Sequence, residues 1–327
     1  MAKKLKVGIV GMGGISHTHV PGWKASPYVE LVAGCDINPA VFSPWTEKHG
    51  KIKLYGDSKD IFADPDIDII DICTPNMCHA EQTIRALEAG KHVICEKPLA
   101  PTPADIRKMI AARDRSGKLL VVAFPGSLSP QIRKAVKLYQ SGDLGQLLSI
   151  SATVWQSWGP GTVGSWRQVP EISGGGFLFD TGAHMLNTVV DLAGEEFTEV
   201  AAFMDFNQRP VETEAVVIGR LKSGAMVTLH GAGESIPSCA SDIYAFYSKA
   251  ILRTGIWGEK LEIQRTGENQ FKRVRVPRSQ GVWEQFMAVR GGKMTNPCPP
   301  EVGLRMAKLY DAIKISAAQH GALVKCE

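Results

Sequence analysis

Three ionisable side chains stand in settings where proton chemistry is possible. Lys97 lies in Glu96-Lys97-Pro98, and Asp180 and His184 lie in a Gly-rich stretch running from Gly174 to His184. Asp180 and His184 are four residues apart, so on a helix they share one face. An imidazole with an ordinary pKa of about 6.5 can take a hydroxyl proton near neutrality. A lysine ammonium at the same oxygen would hydrogen-bond it and favour alkoxide character. Pro98 biases Lys97 toward an extended backbone. Asp180 has three roles open to it: orienting His184, binding a substrate hydroxyl, or relaying the proton. Taken singly, each residue also has a plainer reading. Lys97 is then a solvated strand-end lysine, Asp180 a favourable charge in a helix's first turn, and His184 a helix residue with a backbone partner.

A second constellation sits at the N-terminus. Gly11-Met12-Gly13-Gly14-Ile15-Ser16 follows an apolar run and opens a helical stretch. In a dinucleotide-binding turn the first Gly makes the tight bend and the second lets the pyrophosphate approach the backbone, while helix N-terminal amides face the phosphates. The third small position is Ser16. Asp36 ends the next strand-like run, 23 residues after Gly13. An acid there accepts hydrogen bonds from the adenosine ribose and repels a 2′-phosphate. Ile37-Asn38-Pro39 supplies no Arg to receive that phosphate, so NAD is favoured over NADP. The competing reading of Asp36 is a turn acid capping the following helix. His17 and His19 read as members of the first helix. A metal reading for them lacks an evident third ligand, and no metal is expected. Cys73, Cys78 and His79 read as a strand Cys, a helix Cys and a crevice His.

These residues need a scaffold, and the pattern supplies one. Up to about residue 123, short apolar runs at Leu5–Val10, Val29–Cys35, Ile67–Cys73, His92–Cys95 and Leu119–Ala123 read as buried parallel strands. Helical stretches lie between them, including Ala80–Ala89 closed by Gly90 and Ala104–Ser116 closed by Gly117. This alternation predicts α/β: an N-terminal Rossmann doubly wound parallel sheet. Ligands of such sheets sit beyond the carboxyl ends of the strands, where Asn76 and Lys97 fall. After Phe124 a helix over Pro130–Ser141 precedes a strand at Gln146–Val154, a Trp- and Gly-rich loop over Trp155–Gly176 and a helix over Leu178–Leu192. Runs at Val200–Phe206, Ala215–Leu221, Ala225–His230, Ile243–Phe246 and Lys260–Arg265 then predict a large, mainly antiparallel open sheet in a C-terminal α+β domain. The expected domains are 1–123, binding dinucleotide, and 124–327, binding substrate. A final helix over Glu301–His320 is free to pack back on the first.

Composition agrees with a folded chain of two domains. The 327 residues are 44% hydrophobic and 21% charged, with net charge +4. Lys and Arg are scattered, so no nucleic-acid stripe is read. No run approaches the roughly 18–20 apolar residues of a membrane span. The N-terminus lacks an apolar signal segment, and the seven Cys form no C-x-x-C pair. Free thiols and a cytoplasmic location are therefore expected.

Read together, the Gly-rich turn, Thr74-Pro75-Asn76 with His79, Glu96-Lys97-Pro98, and Gly174-Gly175-Gly176-Phe177-Leu178-Phe179-Asp180-Thr181-Gly182-Ala183-His184 resemble the Gfo/Idh/MocA oxidoreductase family. The resemblance runs from Lys6 to about Gly321. It implies oxidation or reduction of a hydroxyl or carbonyl on a sugar, cyclitol or related polyol, with NAD or NADP. It makes Lys97, Asp180 and His184 the catalytic set. It places Gly11, Gly13, Gly14, Ile15, Asp36, Thr74, Pro75, Asn76, His79, Glu96 and Arg167 beside the cofactor. It also implies homodimers or homotetramers formed through the open face of the C-terminal sheet. One alternative uses the same site: transient oxidation with elimination and return of the hydride. A second, dinucleotide sensing without turnover, ranks below it, because regulatory relatives generally lose the Glu-Lys-Pro lysine or the histidine and both are present here.

The chain departs from the family at two points. Many relatives carry Asp three residues after the catalytic His, where Asn187 stands here. Relatives often show Asn and Arg after the sixth strand, where this chain has Phe124-Pro125-Gly126-Ser127-Leu128. Both departures bear on the substrate pocket. Trp155, Trp158 and Trp166 are candidates for an aromatic wall against a sugar ring, or else for packing in the core or an interface. Trp155, Trp166 and Asn187 join Lys97, Asp180 and His184 as the expected substrate contacts.

Overall fold

The computed structural model describes residues 4–326. Its described residues divide into two compact units. One holds the chain up to Ala100, Ala104–Ala123 and Gln280–Glu301; the other holds Pro101–Pro103, Phe124–Ser279 and the chain from Val302.

In the first unit, β1 (Leu5–Val10), β2 (Val29–Cys35), β3 (Lys53–Tyr55), β4 (Ile69–Ile72), β5 (His92–Glu96) and β6 (Leu120–Ala123) form one parallel sheet in the order β3-β2-β1-β4-β5-β6. This is the doubly wound Rossmann order. The β-branched runs IIDI and LVVA are buried on both faces, as a sheet covered on two sides requires. The crossovers are α1 (Ser16–Ala25), α2 (Phe42–His49), α3 (Ser58–Ala63), α4 (His79–Glu88) and α5 (Pro103–Ser116). The helix α4 turns Thr83, Ala86 and Leu87 inward. Gly90 and Gly117, at φ +79° and +63°, close α4 and α5 in the left-handed region.

The second unit opens with α6 (Pro125–Leu128) and α7 (Pro130–Gln140). Its nine-stranded sheet is built from β7 (Leu147–Ser157), β8 (Phe197–Asp205), β9 (Glu214–Leu221), β10 (Met226–Ala232), β11 (Glu234–Tyr247), β12 (Ala250–Thr254), β13 (Leu261–Arg265), β14 (Lys272–Arg273) and β15 (Val324–Lys325). The order is β14-β13-β12-β11-β7-β10-β9-β8-β15, and only the β7–β10 pair is parallel. Short helices α8 (Trp158–Gly161), α9 (Pro170–Ser173) and α10 (Phe177–Asp180) lead to α11 (Gly182–Ala193). Late in the chain come α12 (Val282–Arg290), counted with the first unit, and α13 (Pro300–Ala318), counted with the second from Val302 onward.

Local differences from the sequence reading have clear causes. The strand β7 runs through Trp155 to Ser157 because its backbone is paired on both edges, Trp155 facing Ala232 on β10 and Ala240 on β11. The helix read as Leu178–Leu192 is two pieces, α10 and α11, joined at Thr181, whose φ and ψ of −76° and −41° stay helical. All seven cysteines are free thiols. No helix among the described residues is long and apolar enough to cross a membrane.

Candidate active site

The Gly-rich turn sits at the carboxyl end of β1. Gly11 has φ +89°, and a Cβ there would lie 2.7 Å from the backbone of Cys73 and Thr74. Only glycine satisfies both the angle and the contact. This tight passage falls between β1 and β4, the switch point where a doubly wound sheet opens its crevice. Gly13 and Gly14 differ: a Cβ on either would meet nothing within 4 Å, and both are exposed. Their backbone is open to approach. Ser16 does more than stay small. Its fully buried hydroxyl donates to the Gly13 carbonyl at 2.7 Å and accepts the Trp45 indole N–H at 3.0 Å, tying α1 and α2 to the turn. Asp36 accepts from the Met12 amide at 2.8 Å and the Asn38 amide at 2.9 Å. It therefore fastens the turn to the end of β2, and each carboxylate oxygen keeps acceptor capacity for a further donor.

The ends of β4 and β5 lie side by side. Thr74 donates to Gln82 at 2.7 Å, and Pro75 is extended ahead of the single turn Asn76–Cys78, in which Asn76 is buried. His79 is fully buried. Its Nδ1 stands 2.9 Å from the Pro98 carbonyl and its Nε2 2.8 Å from the Thr74 carbonyl, so one ring spans both strand ends. Burial lowers its pKa. Lys97 is half-buried directly after β5 and is joined to Pro98 by a cis peptide bond; its amide donates to Glu96 Oε2 at 3.0 Å.

Beneath Lys97 lies a cluster that sequence spacing did not assemble. His19 on α1, Asp71 on β4 and Glu96 on β5 are 4%, 0% and 9% exposed. His19 Nδ1 is 2.9 and 3.1 Å from the two Asp71 oxygens, and its Nε2 is 2.9 Å from Glu96 Oε1. The Trp23 indole adds a 2.6 Å bond to Asp71, and Cys73 Sγ lies 3.5 Å from Nδ1. Burial of the ring opposes its charge, but Asp71 and Cys73 outweigh that and raise the His19 pKa well above its ordinary value. Burial pushes the Cys73 thiol up to about 12. His19, Asp71 and Cys73 each place one ligand-type atom within 4.8 Å of the others, but the spacing is that of hydrogen bonds between nitrogen and carboxylate. His17 instead meets His49, Nδ1 to Nε2 at 2.6 Å.

In the second unit, the segment before Asp180 is anchored by Glu212. The Glu212 carboxylate accepts from the Gly176 amide at 2.7 Å and the Tyr310 hydroxyl at 3.1 Å, and its carbonyl accepts from the Phe177 amide at 2.8 Å. A Cβ on Gly176 would lie 2.0 Å from that carbonyl. Burial pushes the Glu212 carboxyl above its ordinary pKa despite these donors. Asp180 Oδ2 accepts from the Trp158 indole and the Arg167 guanidinium, each at 2.9 Å. Arg167 also lies over the Trp166 ring at 4.7 Å. Trp158 is thus core, packed against Phe177, while Trp155 and Trp166 are half-buried. His184, 8% exposed, meets the ring edge of Phe124 at 6.0 Å and the Trp257 indole at 5.7 Å.

Trp257 was not singled out by spacing, because nothing local marks it. The tertiary structure holds its loop firmly. The Ile256 carbonyl accepts from Thr188 at 2.7 Å, one turn beyond His184, and the Ile256 amide donates to Ser241 at 3.0 Å. Asn187 is 1% exposed and its amide donates to Ser127 at 2.8 Å; Ser127 donates to Asp191, which also takes Arg305 at 2.6 Å. The two departures from the family are therefore in direct contact.

Within the first unit the structure brings together the Gly turn, Asp36, Thr74–Asn76, His79, Glu96 and Lys97. Within the second it brings together Asp180, His184, Arg167 and the aromatic residues. A parallel Rossmann sheet with a Gly-rich turn at its switch point, followed by a unit built on a large mixed sheet, is a two-part α/β architecture whose first part suits a dinucleotide. The chain belongs to the Gfo/Idh/MocA oxidoreductase family: residues 5–124 match its NAD-binding Rossmann-fold model and residues 132–253 its C-terminal domain model. It is 33% identical over 235 residues to levoglucosan dehydrogenase of Pseudarthrobacter phenanthrenivorans, a stretch covering 68% of this chain and 60% of that protein. It is 31% identical over 191 residues to D-glucoside 3-dehydrogenase of Escherichia coli, covering 58% of this chain and 54% of that protein. These matches span little more than half the length of either relative. Among solved structures, levoglucosan dehydrogenase in complex with NADH matches with a TM-score of 0.87 at 25% identity, over 99% of this chain and 100% of that one.

Proposed function

We propose that this chain oxidises or reduces a hydroxyl or carbonyl carbon of a sugar, cyclitol or related polyol, with NAD preferred over NADP as the hydride partner. The observation that carries the reading is the neighbourhood in the first unit. Adjacent strands β1, β4 and β5 end in the Gly turn, Thr74–Asn76 and Lys97, respectively. The turn fits a dinucleotide: Gly13 and Gly14 leave the room a pyrophosphate needs, and Asp36 offers a carboxylate to a ribose hydroxyl. When bound, the nicotinamide supplies the hydride acceptor or donor.

The chain's own residues do the rest. Gly11, Gly13, Gly14, Ile15 and Asp36 hold the dinucleotide, with Thr74, Pro75, Asn76, His79, Glu96 and Arg167 around it. Lys97 hydrogen-bonds the reacting oxygen and stabilises the charge that develops there. His184 takes the hydroxyl proton in oxidation and returns it in reduction. Asp180, held by Trp158 and Arg167, orients the substrate and His184. Trp155 and Trp166 bound the substrate, Asn187 shapes the site from behind through Ser127, and Trp257 adds an aromatic face beside His184. The names of the two curated relatives, which act on levoglucosan and on D-glucosides, support a carbohydrate substrate.

The test is a paired titration of NAD and NADP on the wild type and on Asp36→Ala, followed by turnover of levoglucosan and methyl glucoside by Lys97→Ala. Expected are an NAD preference that Asp36→Ala erodes and a fall in turnover of about 10²–10³-fold in Lys97→Ala with NAD binding retained. A preference for NADP would overturn the role of Asp36, and full turnover by Lys97→Ala would overturn that of Lys97.

A further inference from the structure

We propose that His19 is a positioning residue: its buried ring, clamped between Asp71 and Glu96, fixes the carboxylate that holds the backbone of Lys97. The proposal rests on the reading of Lys97 as the group at the reacting oxygen. It is carried by a continuous chain of contacts within the first unit. Asp71 lies one residue before the end of β4, Glu96 ends β5, and His19 reaches both from α1, each nitrogen 2.9 Å from a carboxylate oxygen. The remaining Glu96 oxygen takes the Lys97 amide at 3.0 Å. On the other side of the same turn His79 holds the Pro98 carbonyl.

The chemistry favours a role beyond packing. Two buried carboxylates and an imidazole are expensive to remove from water, and apolar side chains of the same volume would fill the space at least as well. What ions supply and apolar groups do not is direction. Because both ring nitrogens face carboxylates, the ring donates twice, and each bond fixes the carboxylate it reaches. The raised pKa of His19 agrees with a doubly donating ring. The residue also lies three positions after Ser16, on the helix whose first turn faces the dinucleotide crevice. One rigid helix thereby sets both the Gly turn and the Lys97 turn.

The experiment compares wild type, His19→Gln, His19→Phe and Lys97→Ala as full-length proteins. His19→Gln retains one donor; His19→Phe retains none and fills the space. Three quantities are measured: the exchange rate of the Lys97 amide by NMR, the affinity for NADH, and kcat and KM for levoglucosan. Loss of a well-aligned charged hydrogen bond should speed exchange of the Lys97 amide by about tenfold in His19→Phe, with a smaller rise in His19→Gln. Misplacement of Lys97 should lower kcat by up to about 10²-fold with KM nearly constant, and NADH affinity should stay within about threefold in both. An unchanged Lys97 exchange rate in folded His19→Gln and His19→Phe would overturn the clamp. If Lys97→Ala retains turnover, the reading of Lys97 fails separately; in that case, or if the wild type oxidises no levoglucosan, the exchange rate alone judges His19. Should His19→Phe not fold, His19→Gln decides by the Lys97 exchange rate.

Discussion

At the scale of single residues, the two departures from the family turn out to be one feature. Asn187 stands where many relatives have Asp, and its amide donates to Ser127, in the stretch where relatives often carry Asn and Arg. Ser127 in turn donates to Asp191. An amide suits this place because it can donate; a carboxylate at position 187 would face Ser127 with no proton to give and would stand close to a second acid. Asn187→Asp should therefore cost about 1–3 kcal/mol at pH 7, the usual penalty for a buried acceptor without a donor. Burial and Asp191 would raise the new carboxyl's pKa in the folded protein. The folded state would then bind more protons than the unfolded one, so the deficit shrinks as pH falls toward the ordinary carboxylate range. Urea denaturation of both proteins at pH 7 and pH 5 checks this, and equal stability at pH 7 would show that Asn187 is not committed to Ser127. Lys97, Asp180, His184 and Asp36 can be put forward as candidates from type and spacing. The partners that orient them cannot. Trp158 and Arg167 lie 22 and 13 residues from Asp180, and His19 lies 77 residues from Glu96.

At the scale of elements, the strands and helices with a strong period were readable, and β1 and β2 have the bounds that their apolar runs suggest. Short elements were not. The three-residue β3 and the two-residue β14 carry no period of their own and exist because a neighbouring strand offers a ladder. The packing of α12 on α1 shows the same dependence. Gly22 has no side chain, and Trp283 occupies the space a Cβ would need, its ring carbons 2.0–2.4 Å from that position. The indole meets His19 edge-on at 5.4 Å and Trp23 at 6.2 Å, while Phe286 meets Trp23 at 6.1 Å. Gly22→Ala must push α12 outward, at a cost of about 1–3 kcal/mol for overpacking, more than offsetting the better helix propensity of Ala. Thermal unfolding measures the loss, and near-UV circular dichroism reports the indole environment. A Gly22→Ala protein as stable as the wild type would show that α12 is not seated there.

At the scale of the whole molecule, the nine-stranded sheet leaves one face uncovered. Phe203, Val216, Ile218 and Met226 are 65%, 51%, 59% and 56% exposed, and the inward residues between them, Ala215, Val217 and Leu229, are buried. Phe203 and Val216 are paired across β8 and β9, so the apolar side chains adjoin. Exposed apolar side chains grouped on one sheet face, interleaved with Arg220, Thr228 and His230, suit an association surface with a polar component, and a homodimer or homotetramer through it is the assembly we propose. A carboxylate in its centre should break the assembly: Ile218→Glu should sediment as a smaller species with unchanged far-UV circular dichroism. The same sedimentation coefficient for both proteins would overturn the assignment of this face. Much here followed from the sequence by itself. Periodicity gives the parallel sheet and then the antiparallel one, because a strand buried on both faces and a strand buried on one leave different local patterns. Motif order gives the family, because a turn against pyrophosphate tolerates only certain residues at certain steps. The tertiary structure alone decided which side chains hold those motifs in place. The His19–Asp71–Glu96 cluster, the Glu212 anchor under Gly176, and the Trp257 loop beside His184 join residues distant in the chain. Hydrogen bonds act over about 3 Å of space whatever the separation in sequence, and one chain read in order carries no record of that distance.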